Sequence, residues 1–159
     1  MRSRTATWFE CKIRYEKVME DGLQKKVAEV YTVDAMSYSE AEKRITEEMS
    51  SYISGEFEVD KITKAAYKEV FFDEPGDGDA PADRWYRAKL DFITIDEKTE
   101  KEKRSRVTYL VQASNLKSAL KGIEEVMSGT MIDYDAAALT GTNLMDVFEY
   151  AKQESDAKE

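Results

Sequence analysis

Trp8 and Lys12 in "WFECKIRY" recur as Trp85 and Lys89 in "WYRAKLDF", an indole and a cation at one spacing in two places. An aromatic face beside a positive charge is how some open sheets stack and hold the bases of a single nucleic-acid strand. The same side chains also serve to cover a second sheet face, since large aromatics mostly end up buried. These four are the candidate binding residues, and packing is their simpler role.

Catalytic chemistry has less to stand on. Histidine is absent, which removes the commonest general acid–base group at neutral pH and the commonest metal ligand. No phosphate-binding glycine loop, dinucleotide fingerprint, nucleophile elbow or paired CxxC occurs. Cys11 is a nucleophile by type, but it alternates with charged residues on the apolar side of its stretch, where a small buried hydrophobe is expected. The carboxylates of "DEPGDGDAPAD" (73–83) invite a calcium reading. They lack the alternate ligands, sixth-position glycine and closing glutamate of an EF-hand loop, so a solvated linker is expected instead. The expectation is a protein that is not an enzyme, with no catalytic residue, no metal and no cofactor.

The totals point the same way. The chain has 159 residues and a formal charge of −9. Residues 1–83 carry 12 basic and 19 acidic side chains, residues 84–159 carry 12 and 14, so neither half has the cationic surplus a phosphate-coating surface needs. "EKTEKEKRSR" (97–106) is locally basic and reads as a solvated hairpin tip. A single cysteine forms no internal disulfide and suits a reducing compartment. There is no apolar leader and no apolar run long enough for a bilayer, which predicts a cytoplasmic protein without a membrane partner.

The elements that position these residues come in two copies. Trp8, Phe9, Lys12, Ile13 and Tyr15 match Trp85, Tyr86, Lys89, Leu90 and Phe92 at an offset of 77. "YTVDAMSYSEAEKRITEEMS" matches "YLVQASNLKSALKGIEEVMS" at 78, and "ITKAAYKEVF" lies over "LTGTNLMDVF" at 77 again. Each copy reads as strand, strand, helix, strand. Alternation of Phe9, Cys11, Ile13 and Tyr15 with polar residues predicts a half-buried strand. Charged loops (16–26 and 96–104) turn the chain into "EVYTVDA" and "VTYLVQA". Ser37 with Glu40 three residues on, and Asn115 in the matching place, are helix N-cap signals. Ala41, Ile45, Met49, Tyr52 and Ile53 form one apolar stripe; Leu116, Ala119, Leu120, Ile123, Val126 and Met127 form the other. "KITKAAYKEVFF" reads as one strand, because "TGTN" in its twin suits a helix poorly.

The stretches "TWFECKIRY", "AEVYTVDAMSYSEAE", "WYRAKLDFITIDEKTEKEKR", "YLVQASNLKSAL" and "MDVFEY" together resemble a bacterial domain-of-unknown-function family of short proteins from anaerobic gut bacteria and their mobile elements. The resemblance spans nearly the whole chain. It implies a self-standing unit, and it brings no catalytic or ligand residue with it.

The expected architecture is α+β: a tandem duplication of a ββαβ unit, about six mainly antiparallel strands with two helices and pseudo-two-fold symmetry. Residues 1–72 form the first repeat, 73–83 the acidic Pro/Gly linker, 84–150 the second repeat and 151–159 a flexible tail, with the two repeats forming one compact domain. The expected function is a non-catalytic interaction or assembly protein with a protein partner or a second copy of itself. Single-stranded nucleic-acid binding through Trp8, Lys12, Trp85 and Lys89 is the alternative, disfavoured by the net charge.

Overall fold

The computed structural model describes residues 1–74 and 81–150, so most of the 73–83 linker and the whole 151–159 tail lie outside the described residues. In chain order the elements are β1 (Arg2–Arg4), β2 (Trp8–Val18), β3 (Gln24–Asp34), α1 (Tyr38–Tyr52), β4 (Phe57–Ala65), β5 (Glu69–Phe72), β6 (Arg84–Ile95), β7 (Glu102–Ala113), α2 (Leu116–Ser128), β8 (Asp133–Gly141) and β9 (Leu144–Phe148). The class is α+β with two helices. Among the described residues no helix is long and apolar enough to cross a membrane.

The single sheet of about six strands is corrected to two sheets, one of five strands and one of four. The expected third strand of the first copy divides into β4 and β5, and the same happens at β8 and β9. The chain forms two compact units. Unit 1 joins Met1–Thr5 to Tyr67–Thr142; unit 2 joins Ala6–Ala66 to the segment from Asn143 onward. These limits cut across the repeat boundaries read from the sequence. Each unit takes its short parallel strand from the other half of the chain.

Unit 2 holds the sheet β4-β2-β3-β9 under α1. β2 and β3 form a long antiparallel hairpin running from Trp8↔Asp34 to Val18↔Gln24. The strands therefore persist into what looked like a charged loop, and only Met19–Leu23 turns, with Gly22 at a φ of 84°. β4 pairs antiparallel with β2 and bulges between Lys12 and Ile13. β9 lies parallel to β3, with Tyr31↔Asp146, Thr32↔Val147 and Val33↔Phe148. Phe9, Cys11, Ile13, Val33, Ala35, Ala41, Ile45 and Met49 make the core between sheet and helix.

Unit 1 holds β1-β5-β7-β6-β8 under α2. β6 and β7 pair from Arg84↔Ala113 to Ile95↔Glu102, so the basic stretch beyond Lys101 is strand rather than tip. β8 pairs with β6 and bulges between Lys89 and Leu90, 77 positions after the bulge of unit 2. β5 lies parallel to β7, with Glu69↔Tyr109, Val70↔Leu110 and Phe71↔Val111. These pairs repeat the β3–β9 register position for position. β1 then adds antiparallel to the outer edge of β5 (Arg2↔Phe72, Ser3↔Phe71, Arg4↔Val70), a strand the sequence pattern did not announce. Its three residues are too few for periodicity to register.

Both helix caps form where expected. Ser37 Oγ accepts from the Glu40 N–H at 3.1 Å, and Asn115 Oδ1 accepts from the Ser118 N–H at 2.8 Å. The Glu40 carboxylate reaches back to the Met36 N–H at 3.2 Å, one residue before the cap. The apolar stripes are narrower than the sequence suggested. Tyr52, Leu116 and Leu120 are exposed, while Arg44 and Gly122 join the buried sides.

Candidate functional site

Trp8 is 0% exposed and Trp85 2%, so neither indole presents a face to a base. Both stand outside the sheet–helix cores, on the opposite sheet face. That face is buried there too: Thr32, Asp34 and Val147 in unit 2, and Val70, Phe72 and Leu110 in unit 1. Alternation predicted a half-buried strand; the strands are buried on both faces at this end and open only farther along. Trp85 meets Phe72 edge-on, with centroids 5.4 Å apart. Lys12 is half-buried and Lys89 exposed, each beside the bulge of the edge strand that pairs with it. The structure thus leaves the four candidate positions without an aromatic stacking surface.

Cys11 is fully buried in the unit 2 core. Burial pushes its thiol up to about 12, with the charge of Glu10 adding to the effect, so no reactive thiolate forms near neutral pH. Burial and the Glu29 carboxylate likewise push Tyr15 up to about 12 and raise Tyr31. Among the described residues no group of three or more acidic or cysteine side chains is placed to hold a metal ion.

The concentrated polar chemistry lies at one end of unit 2, on residues that sequence reasoning passed over. Asp34 ends β3, is 1% exposed, and accepts the Tyr150 N–H on Oδ1 at 2.7 Å. Arg44, one helical position before Ile45, turns its guanidinium inward. It donates to the Asp34 carbonyl at 2.6 Å, lies 3.6 Å from Asp34 Oδ1 and pairs with Glu40 at 3.0 Å. The Tyr150 ring sits 5.0 Å from that guanidinium, and its hydroxyl donates to the Arg44 carbonyl at 3.3 Å and to the Glu48 carboxylate. Burial and Glu48 raise the Tyr150 hydroxyl well above its ordinary value. This is a buried charge held by multiple partners, and it fastens the end of β9 to β3 and α1. A signal was available in the sequence. Arg44 and Asp34 lie 78 positions before Gly122 and Gln112 in the internal match, so two buried charges align with uncharged residues.

Unit 1 fastens its own short strand with one bond of the same kind. The Asp73 N–H donates to Gln112 Oε1 at 3.0 Å, 77 and 78 positions from Tyr150 and Asp34. In place of Arg44 stands Gly122, whose missing side chain leaves room for the Met1 thioether.

Two clefts open in unit 2. One of about 420 Å³ borders the Arg44 cluster, lined by Ser39, Glu40, Lys43 and Glu47. The other, about 960 Å³, lies between the β2–β3 hairpin and the α1–β4 loop, with Arg14, Lys26, Glu56 and Glu58 on its walls. In the first, the buried Arg44 guanidinium is already engaged.

A family model described as Domain of unknown function (DUF4494) matches residues 7–150. The chain belongs to that family. No curated protein and no solved structure matches it. The matched span of this DUF4494 protein begins just before β2 and ends at Tyr150, the residue that closes the Asp34–Arg44 cluster.

Proposed function

We propose that this DUF4494 protein is a non-catalytic interaction and assembly protein, built by tandem duplication and acting through its strand edges. The duplication is supported by registers: β3–β9 and β7–β5 pair at equivalent residues, and both outer antiparallel pairs bulge at one position. It acts in the cytoplasm on this reading, where its one cysteine stays a buried thiol.

The observation that carries the assembly reading is the contrast between two edge strands. β4 and β8 are both terminal in their sheets and, among the described residues, pair on one side only. An exposed edge is a template for another strand unless charges or bulges blunt it. Both edges keep the bulge. β4 adds Asp60, Lys61 and Lys64; β8 has Ala137, Ala138 and Gly141 at those places. Leu116 and Leu120 on α2 and Met131 and Ile132 before β8 are also exposed in that unit.

Light scattering on the intact chain tests it. The expected result is a mass that rises with concentration and returns to the monomer when Ala138→Lys and Gly141→Lys restore the charges of β4, with the thermal midpoint little changed. A wild type that stays monomeric at every concentration would overturn assembly through this edge.

A further inference from the structure

Two corresponding aromatic groups differ in whether a cation caps them. In unit 1, Tyr109 stands edge-on to Phe71 at 5.1 Å and to Phe92 at 6.3 Å, with Glu69 on β5 as its strand partner. Lys68, the residue before β5, lays its ammonium 4.9 Å from the centre of the Phe92 ring. In unit 2, Tyr31, Phe148, Tyr15 and Asp146 lie 77 or 78 positions from Tyr109, Phe71, Phe92 and Glu69, and Asp146 is again the strand partner of Tyr31. The place of Lys68 is taken by Met145, which is exposed. We infer that the Tyr15, Tyr31 and Phe148 group of unit 2, with the carboxylates of Glu29 and Asp146, is a binding site for an alkylammonium ion supplied from outside the chain.

Unit 2 also has more negative charge to offer. Glu29 stands 78 positions before Val107, so a carboxylate faces the rings where unit 1 has an apolar side chain. Glu29 accepts the Tyr31 hydroxyl at 3.5 Å, and Asp146 Oδ1 accepts the Val147 N–H at 2.8 Å. Neither carboxylate is in an ion pair among the described residues. After burial, Glu29 is the largest cause raising the hydroxyls of both Tyr15 and Tyr31, and Asp146 adds to it at Tyr31. Both negative charges are thus felt at one ring, and an incoming cation relieves them.

The ring that takes the cation follows from the stacking. Phe148 stacks on Tyr31 at 5.8 Å and on Tyr52 at 6.4 Å, whereas among the described residues neither a ring nor a cation stacks on Tyr15, which corresponds to Phe92. Tyr15 borders the cleft of about 960 Å³, which gives an ammonium on a flexible chain a way in. The walls there carry Glu16, Glu56 and Glu58 against Lys26 and Arg14, and Arg14 is already paired with Asp60. Ring faces with separate carboxylates suit an organic cation, and no group of three acidic or cysteine side chains among the described residues is placed to hold a metal ion. The site uses neither strand edge, so it stands apart from the assembly test on β8.

The probes are n-butylammonium and the peptide acetyl-Gly-Lys-Gly-amide, each titrated into isotope-labelled full-length protein at low, constant ionic strength. Saturable shifts are expected at Tyr15, Tyr31 and Asp146 with n-butylammonium. The peptide separates the sources: matching shifts assign the site to a lysine of a partner protein, and none assigns it to a free amine. Binding should weaken at least about tenfold in Glu29→Gln with Asp146→Asn, changes that keep both side-chain acceptors. Met145→Lys should place an ammonium on Tyr15 from within the chain, as Lys68 does on Phe92, and abolish binding of either probe. Three results would overturn the inference. They are no saturable shift with either probe, shifts that sodium ions reproduce at the same concentration, and binding that survives Met145→Lys undiminished.

Discussion

The end of unit 2 where β9 meets α1 and the end of unit 1 where β5 meets α2 solve one problem with different chemistry. Each must hold a four- or five-residue strand that arrives from the other half of the chain. In both, a residue at the end of an inner strand, the last of β3 and the last but one of β7, accepts one N–H from just beyond the short strand, at 2.7 Å to Asp34 and 3.0 Å to Gln112. Around Asp34 the protein adds a buried guanidinium, a tyrosine ring and two glutamates. Around Gln112 it uses a neutral amide, a glycine and the Met1 side chain, and it pairs β1 along the far edge of β5. A strand covered on both edges is held by two ladders. β9 is terminal in its sheet, and the ionic cluster anchors its end.

The largest effect should therefore separate the two ends. Arg44→Ala leaves the Asp34 carboxylate buried without its cation and should cost about 3–5 kcal/mol in urea unfolding. Gln112→Ala removes one neutral acceptor at an exposed N–H and should cost no more than about 1 kcal/mol. Equal losses would break the comparison. Amide exchange would sharpen it: in Arg44→Ala, protection should fall first at Val147 and Phe148, and in Gln112→Ala the β5 amides should stay protected by the ladders on both sides.

Ser37→Ala and Asn115→Ala come next. Each removes an acceptor from the first turn of a helix, and each should cost about 1 kcal/mol. Here the comparison predicts sameness, because both caps use the same geometry on helices that cover equivalent sheets. Gly122→Ala has the opposite sign. A Cβ there meets only the far end of the flexible Met1 side chain, so the methionine swings aside and the helix gains up to about 1 kcal/mol. Heat or urea midpoints measure both, and a clear destabilisation by Gly122→Ala would show that the Met1 side chain does not give way.

Much of this was legible in the sequence, for reasons that also explain what was not. Helices and caps follow from local patterns of 10 to 20 residues, and α1 and α2 lie where those patterns set them; the β2–β3 and β6–β7 pairs run farther, through charged stretches that read as loops. The internal match of the two halves was visible as identities, and Cys11 was placed in the core by its alternation. The destination of a short strand is not a local property. "EVFF" and "LMDVF" are alike enough to suit either sheet, so nothing within them says that each pairs with a strand from the other half of the chain. Trp8 and Trp85 are buried, as their packing role expects, but what buries them is not a local property either. Alternation assigns one face to solvent, and only the assembled chain shows that the second face is also buried at that end. Asp34 and Arg44 escape a local reading because a charged residue on a helix or strand is normally solvated; only their contrast with Gln112 and Gly122, 78 positions on, marks them.

The smallest expected effect concerns the same strand position with its charge inverted. Arg14 on β2 pairs outward with Asp60 on β4 at 3.0 Å; 77 positions on, Asp91 on β6 pairs inward with Arg106 on β7 through two bonds of 2.8 and 3.2 Å. The two-pronged Arg106 contact, followed by the charge of Arg104 farther off, holds the Asp91 carboxyl below its ordinary value. A depressed folded value means that the unfolded chain takes up the proton first as pH falls. The pair's contribution is then full above the unfolded carboxylate range and is lost as pH drops through the folded one. Both side chains reach solvent, so the contribution is small and screened by salt. The carboxyl carbon of Asp91, followed by NMR, should titrate below an ordinary aspartate at low salt. It should move up toward the ordinary value in Arg106→Gln, and less far when salt alone is raised. An Asp91 that titrates normally in the wild type would mean that the inverted pair is a contact without electrostatic consequence, and that the two strand positions differ in sequence only.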